Sequence, residues 1–244
     1  MRIFSLPKVL LAIAFVAIST FAPAAETSTK EEVDLLLVLA ADVSQSVDER
    51  KFRLQRDGYA AALIDRRVLQ AINSGPYRRI AVTYVEWAGL EQQMIVVKWT
   101  IIDGLDSARR FSMNLVKEPR PFLQGRTAIG DAIGFSLRTL FEAPYRAERM
   151  TIDVSGDGTN NIGGEVNAAR DVAVLAGVII NGLVILSPVP HPGYPQHTHP
   201  PGGLEAYFHR NVAGGPGAFV SVAEDYESFG AAIKKKMIAE IASR

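Results

Sequence analysis

Val33-Asp34-Leu35-Leu36-Leu37-Val38-Leu39-Ala40-Ala41 is apolar at eight of nine consecutive positions. A strand with one wet face alternates polar and apolar residues. A run without alternation belongs to a strand covered on both faces, the central strand of a parallel sheet. The remainder of the chain agrees. Asp48 to Asn73 reads as one long helix, Arg79–Val85 as a second strand and Gln93–Trp99 as a third. The short connection around Gly89 makes those two an antiparallel hairpin. Helices are predicted over Asp106–Lys117, Ala128–Glu142, Glu165–Leu175, Leu204–Asn211 and Tyr226–Ala242. Strands are predicted over Met150–Val154, over Val178–Leu186 with an interruption at Asn181-Gly182, and over Ala218–Val222. The expected fold class is α/β: a doubly wound, mostly parallel six-stranded sheet with one antiparallel edge strand and helices on both faces.

Composition removes several functions. The chain has 244 residues, 48% hydrophobic and 21% charged, enough apolar material for a large core. Its 26 basic and 26 acidic residues leave no cationic surplus for nucleic acid, so no nucleic-acid partner is expected. It has no cysteine, which excludes disulfides, thiolate metal sites, iron–sulfur clusters and thiol nucleophiles.

The N-terminus reads as a targeting segment. Arg2 and Lys8 precede an apolar run from Val9 to Phe21, and Ala22-Pro23-Ala24-Ala25 comes next. The run is short for a membrane span, which needs about 20 apolar residues. The expectation is a signal peptide over residues 1–25, cleaved after Ala24 or Ala25, with no stable membrane insertion afterwards. The remaining chain then holds 24 basic against 26 acidic residues, because Arg2 and Lys8 leave with the peptide. Export of a cysteine-free chain fits a bacterial periplasm or the medium. Residues 26–32 form a polar lead, and 33–244 form the domain. Within it, Ser187–Gly203 carries six prolines and three histidines and is expected to be an inserted surface loop.

In an open α/β sheet, ligands bind beyond the carboxyl ends of the strands, where strand order reverses. Asp42-Val43-Ser44-Gln45-Ser46 comes after the first strand, and Ser155-Gly156-Asp157-Gly158 ends the strand at Met150. Gly125-Arg126-Thr127-Ala128 opens a helix between them. Oxygen donors without Cys or His suit a hard cation that keeps some of its waters.

This pattern, Asp42-x-Ser44-x-Ser46 with Thr127 and Asp157-Gly158 later in the chain, resembles the metal-ion-dependent adhesion site of von Willebrand factor A domains. The resemblance spans Val33 to the last helix and implies a Rossmann-like fold. It also implies that Asp42, Ser44, Ser46, Thr127 and Asp157 hold a cation, Mg²⁺ or else Ca²⁺ or Mn²⁺, directly or through water. One coordination position would stay open for a carboxylate of a protein partner. The stretches Glu86-Trp87-Ala88-Gly89, Gly125–Gly130 and Ile152–Gly158 look, more narrowly, like a family of exported bacterial proteins of this fold.

Each residue also has a plainer reading. Ser46 and Asp48 are good caps for the next helix, Thr127 for its own helix, and Asp157-Gly158 is a common turn pair. Mid-strand Asp153 is expected to pair with an arginine or a backbone amide, since a buried lone carboxylate is costly. Trp87 is expected to pack at the sheet edge, and Arg126 stands either at the rim of the site or free in solvent. His191, His197 and His199 form a possible second metal site for Zn²⁺ or Cu²⁺, against a flexible, solvated loop. Catalytic motifs are absent: no Gly-x-Ser-x-Gly, no His-Glu-x-x-His, no phosphate loop, and a serine, Ser44, where a haloacid-dehalogenase-like enzyme carries its second aspartate. No catalytic residue is assigned. The leading expectation is an exported metal-dependent binding module. The alternatives are a metal-dependent hydrolase using the same cage and metal handling by the histidine loop.

Overall fold

The computed structural model describes Met1 and residues 30–243; the expected signal peptide lies outside the described residues. In chain order the elements are β1 (Glu31–Glu32), β2 (Leu36–Asp42), α1 (Glu49–Leu63), α2 (Arg66–Asn73), β3 (Ile80–Trp87), β4 (Gln93–Ile102), α3 (Leu105–Lys117) and α4 (Ile129–Phe141). Then come β5 (Tyr145–Arg146), β6 (Met150–Gly156), α5 (Val166–Leu175), β7 (Ile179–Ile185), α6 (Pro195–Thr198), α7 (Leu204–Asn211), β8 (Val220–Ala223) and α8 (Phe229–Ala242).

All seven residues of β2 are buried. Leu37, Leu39 and Ala41 pack into one core layer, and Leu36, Val38 and Ala40 into the other, which is why the run does not alternate. Its one charge, Asp34, precedes β2 and accepts backbone N–H groups from Tyr77 at 2.9 Å and Arg79 at 3.2 Å. The main sheet has the order β4-β3-β2-β6-β7-β8, parallel throughout except for the antiparallel edge pair β3/β4. Phe52 and Tyr59 of α1, Phe111 of α3 and Phe229 of α8 cover one face; Ile133 of α4 and Phe208 of α7 lie on the other. Strand order reverses between β2 and β6, so the chain leaves both strands at the same edge in opposite senses. Asp42 ends β2 there, and Asp157 comes directly after β6.

Four details differ from the sequence expectation. The single helix over 48–73 is two, because Asp65 breaks it and caps α2 by accepting the Arg67 N–H at 2.9 Å. Asn181-Gly182 does not interrupt β7, which runs through both residues. Trp87 is fully buried on β3, one strand in from the edge strand β4, rather than at the edge. A two-stranded parallel pair, β1/β5, forms beside the main sheet, which the polar lead gave no reason to expect.

Asp153 is paired, but with a lysine. Lys236 of α8 places its Nζ 2.7 Å from Asp153 Oδ1, and the same ammonium contacts Glu240, all three being buried. Asn181 Nδ2 donates to Glu240 Oε1 at 2.9 Å. Burial first, then the Glu240 charge, raise the Asp153 carboxyl to about 7 despite Lys236. One ammonium therefore serves two acids, and the cluster stays intact only while it is present. Lys236→Met is expected to cost about 3–5 kcal/mol by urea denaturation at pH 7. Adding Asp153→Asn and Glu240→Gln, which remove the stranded charges, is expected to recover part of that loss.

Candidate metal centre at the strand-switch edge

The loop after β2 is shaped by its own first residue. Asp42 Oδ1 accepts the Ser44 N–H at 2.7 Å, turning the chain so that the two serine hydroxyls face back toward the sheet edge. Gln55 Nε2 donates to the Asp42 carbonyl at 3.0 Å. Arg120 Nη2 donates to the carbonyls of Val43 and Val47 at 2.8 and 2.7 Å, closing the loop from the other side. Asp48, not Ser46, caps α1 by accepting the Lys51 N–H at 2.8 Å.

The five expected residues meet. Ser46 Oγ donates to Asp157 Oδ1 at 2.6 Å, Ser44 and Ser46 hydroxyls stand 3.2 Å apart, and Thr127 Oγ1 donates to Ser44 Oγ at 3.3 Å. Asp42, Ser44, Thr127 and Asp157 are at most 1% exposed. Thr127 does not cap α4. That role falls to Asn160, whose Oδ1 accepts the Ile129 N–H at 2.7 Å across the loop after β6. The next residue, Asn161, exchanges two bonds with Thr127, its Oδ1 accepting the Thr127 N–H and its own N–H donating to the Thr127 carbonyl, both at 2.9 Å. Thr127 is thereby held with its hydroxyl free for the centre.

The electrostatics are unbalanced. Asp42 Oδ2 is buried and has no hydrogen-bond partner. Burial, and then the Asp157 charge, raise the Asp42 carboxyl to about 8, against the Ser44 hydrogen bonds and the Arg120 charge. Lys51 offers a partial counterweight: its Nζ donates to the Ser46 carbonyl at 2.7 Å and stands 3.5 Å from Asp157 Oδ2. The buried Tyr226 phenol is pushed well above its ordinary range, by burial first and then by Asp157 and Asp42.

The histidine trio is not gathered. Among the described residues, no three His, Cys, Asp or Glu side chains form a group able to hold a metal. His199 is exposed, with its Nδ1 2.9 Å from Thr198 Oγ1, and His191 is half-buried. His197 departs most from the expectation of a solvated loop: it is buried against the oxygen cage, with its Nε2 3.4 Å from Thr127 Oγ1. Arg126 is exposed and lines the same small cavity as Ser44, Ser46 and His197, at the rim. Sequence reasoning missed Lys51, Arg120, Gln55, Asn160, Asn161 and Tyr226. Only the two asparagines carried a signal, their position directly after Asp157-Gly158-Thr159.

This fold, with its strand order and antiparallel edge, is the von Willebrand A type. Proximal thread matrix protein 1 from the mussel byssus is 11% identical, with a TM-score of 0.62, covering 87% of this chain and 49% of that one. A second structure of that protein, at 10% identity and TM-score 0.59, has a zinc-occupied metal-ion-dependent adhesion motif. The pilus adhesin SpaC from Lactobacillus rhamnosus GG is 14% identical, with TM-score 0.59, covering 88% of this chain and 31% of its own. A von Willebrand factor type A protein from Catenulispora acidiphila is 14% identical, with TM-score 0.55 and coverage of 86% and 43%. This chain thus spans about half or less of those structures. No curated protein sequence matches it. The chain belongs to the family described as "Protein of unknown function (DUF1194)", whose model matches residues 32–244.

A carboxyl raised from 3.8 to about 8 makes the folded state the tighter proton binder between those values, so stability without added metal falls as pH rises through that window. The slope for one proton approaches about 1.4 kcal/mol per pH unit. Asp153 contributes with the same sign up to about 7. Urea denaturation in EDTA at pH 5 to 8 is expected to show this decline. Asp42→Asn is expected to leave only the shallower decline from Asp153 below about pH 7 and to be the more stable protein at pH 8.

Proposed function

We propose that this chain is an exported binding module. Asp42, Ser44, Ser46, Thr127 and Asp157 hold a divalent cation, and an acidic group of a protein partner completes its coordination. The observation that carries the reading is Asp42 Oδ2, a buried carboxylate oxygen with no partner beside a second buried carboxylate. A group so placed needs either a proton or a cation. The donors around it are all oxygens, which suits Mg²⁺, Ca²⁺ or Mn²⁺. A bound cation supplies a positive centre with an exchangeable position for an external carboxylate. Arg126 at the rim adds positive charge on the side a partner would approach. The fold's likeness to a pilus adhesin and to a byssus matrix protein favours a binding role over catalysis. Among the described residues no helix is long and apolar enough to cross a membrane, and export rests on the expected signal peptide.

Asp42→Ala is expected to weaken Mg²⁺ or Mn²⁺ binding at least about 100-fold by calorimetry, with the far-ultraviolet circular dichroism unchanged. At pH 7 the wild-type protein is expected to release close to one proton per cation, read from the dependence of the binding heat on buffer. Capture of an envelope partner should disappear with EDTA and with Asp42→Ala. Capture that survives both overturns the reading.

Hydrolysis at the same cage is a second reading, and His197 is what favours it. Burial lowers this imidazole's pKa, so at neutral pH it is the uncharged form a general base requires. Turnover of model esters by the metal-loaded protein, lost in His197→Ala, would favour that reading.

A further inference from the structure

The Pro/His-rich segment does more than cover a surface. It comes after β7, which is parallel to β2 and β6, so it leaves the sheet at the edge where Asp42 and Asp157 lie. The segment is fastened there by its backbone, the Thr159 N–H donating to the His197 carbonyl at 2.9 Å. The His197 ring fills the space above Gly158, where a methyl group would overlap it, and stacks against Tyr194 at 6.1 Å between centroids with planes 13° apart. His197 is 4% exposed. Yet its two nitrogens make only long contacts, Nε2 to Thr127 Oγ1 at 3.4 Å and Nδ1 to Thr159 Oγ1 at 3.5 Å. A buried imidazole normally holds shorter bonds than these.

We propose that His197 offers its Nε2 to this cation at the position a partner's acidic group would otherwise complete, beside the hydroxyls of Ser44, Ser46 and Thr127 and with Asp42 and Asp157 acting through water, and that it shifts the site's preference from Mg²⁺ toward Zn²⁺. This rests on the proposed function of the oxygen cage. Adjacent ligands of one divalent ion, each about 2.0–2.3 Å from it, stand about 3 Å apart. Ser46 Oγ, Ser44 Oγ, Thr127 Oγ1 and His197 Nε2 succeed one another at 3.2, 3.3 and 3.4 Å, so the imidazole continues the row of donors. Its other nitrogen faces Thr159 Oγ1 at 3.5 Å, an oxygen to which a small shift would let it donate when Nε2 ligates. Hydroxyls and carboxylates alone suit hard ions, and one imidazole adds affinity for Zn²⁺ and its congeners. Exposed His199 has no such placement and serves as the control.

The test is calorimetry with Zn²⁺ and with Mg²⁺ at one fixed pH, with Co²⁺ as a visible-absorption probe, on the full exported protein. The variants are His197→Ala, Gly158→Ala, His199→Ala and Asp42→Ala. Gly158→Ala keeps the imidazole but denies it its seat. The wild type is expected to prefer Zn²⁺ over Mg²⁺. His197→Ala and Gly158→Ala are expected to lose at least about tenfold in Zn²⁺ affinity and to change the Co²⁺ spectrum. Their loss of Mg²⁺ affinity should be at least about threefold smaller than their loss of Zn²⁺ affinity, and His199→Ala should match the wild type throughout. Unchanged Zn²⁺ affinity and Co²⁺ spectrum in His197→Ala, with both lost in Asp42→Ala, would overturn the role of His197 and leave the cage standing. Equal loss of Mg²⁺ and Zn²⁺ in His197→Ala would also overturn it, since the ring would then only support the fold. If the wild type bound neither ion, the cage reading would fail, and this inference with it.

Discussion

A strand buried on both faces cannot end on a carboxylate without some provision for its charge, and β2 ends on Asp42. The run that makes β2 the centre of the sheet also delivers that carboxylate to the strand-switch edge, still inside the protein. Asp157 arrives beside it from β6 because β2 and β6 pair directly. Two acids thus meet in a place where neither is well solvated, and much of the local structure bears on that problem. Ser44 and Ser46 turn hydroxyls and an amide toward them, Lys51 leans against Asp157, and Arg120 holds the loop carbonyls in place. What these groups leave unmatched is one oxygen of Asp42.

The other buried ions show what a matched arrangement looks like in this molecule. Arg56 meets Glu86 with two parallel bonds, at 2.7 and 3.0 Å, and spends its remaining donors on carbonyls around the end of α3. Asp153 and Glu240 share the charge of Lys236 within the core, although Asp153 Oδ2 and Glu240 Oε2 have no hydrogen-bond partner. Both clusters carry their own cation in the sequence. The centre at Asp42 lacks an equivalent, since Lys51 reaches only Asp157 and only at 3.5 Å. That contrast, between acids in direct contact with a basic residue and an acid that feels only the more distant charge of Arg120, is the physical ground for proposing an external cation there.

Much of this was legible in the chain. The unalternating run gave the central strand, the five-residue connection at Gly89 gave the antiparallel edge, and three strand or helix ends gave the five oxygen donors that come together. What escaped was whatever depends on distant side chains. Asp65 as a break in the first helix looked like one more polar residue on an exposed face, because a cap and a surface aspartate read alike. The partner of Asp153 was expected to be an arginine or an amide, and no local pattern points from residue 153 to a lysine 83 positions later. Asn160 takes the capping role that was the plainer reading of Thr127, visible only once two loops are side by side.

The histidine loop shows why topology has to be applied to every segment, not only to those with a motif. Its composition, rich in proline, argues for a surface excursion, and most of it is exposed. Composition does not say which surface. The strand before it is parallel to β2 and β6, and loops after parallel strands all emerge at one edge. The excursion was therefore bound to begin beside the oxygen donors. Proline-rich chain loses less entropy when ordered than a freer loop would, which favours fixing one side chain against the sheet edge. His197 is the side chain fixed there, and the glycine beneath it is the residue that leaves it room.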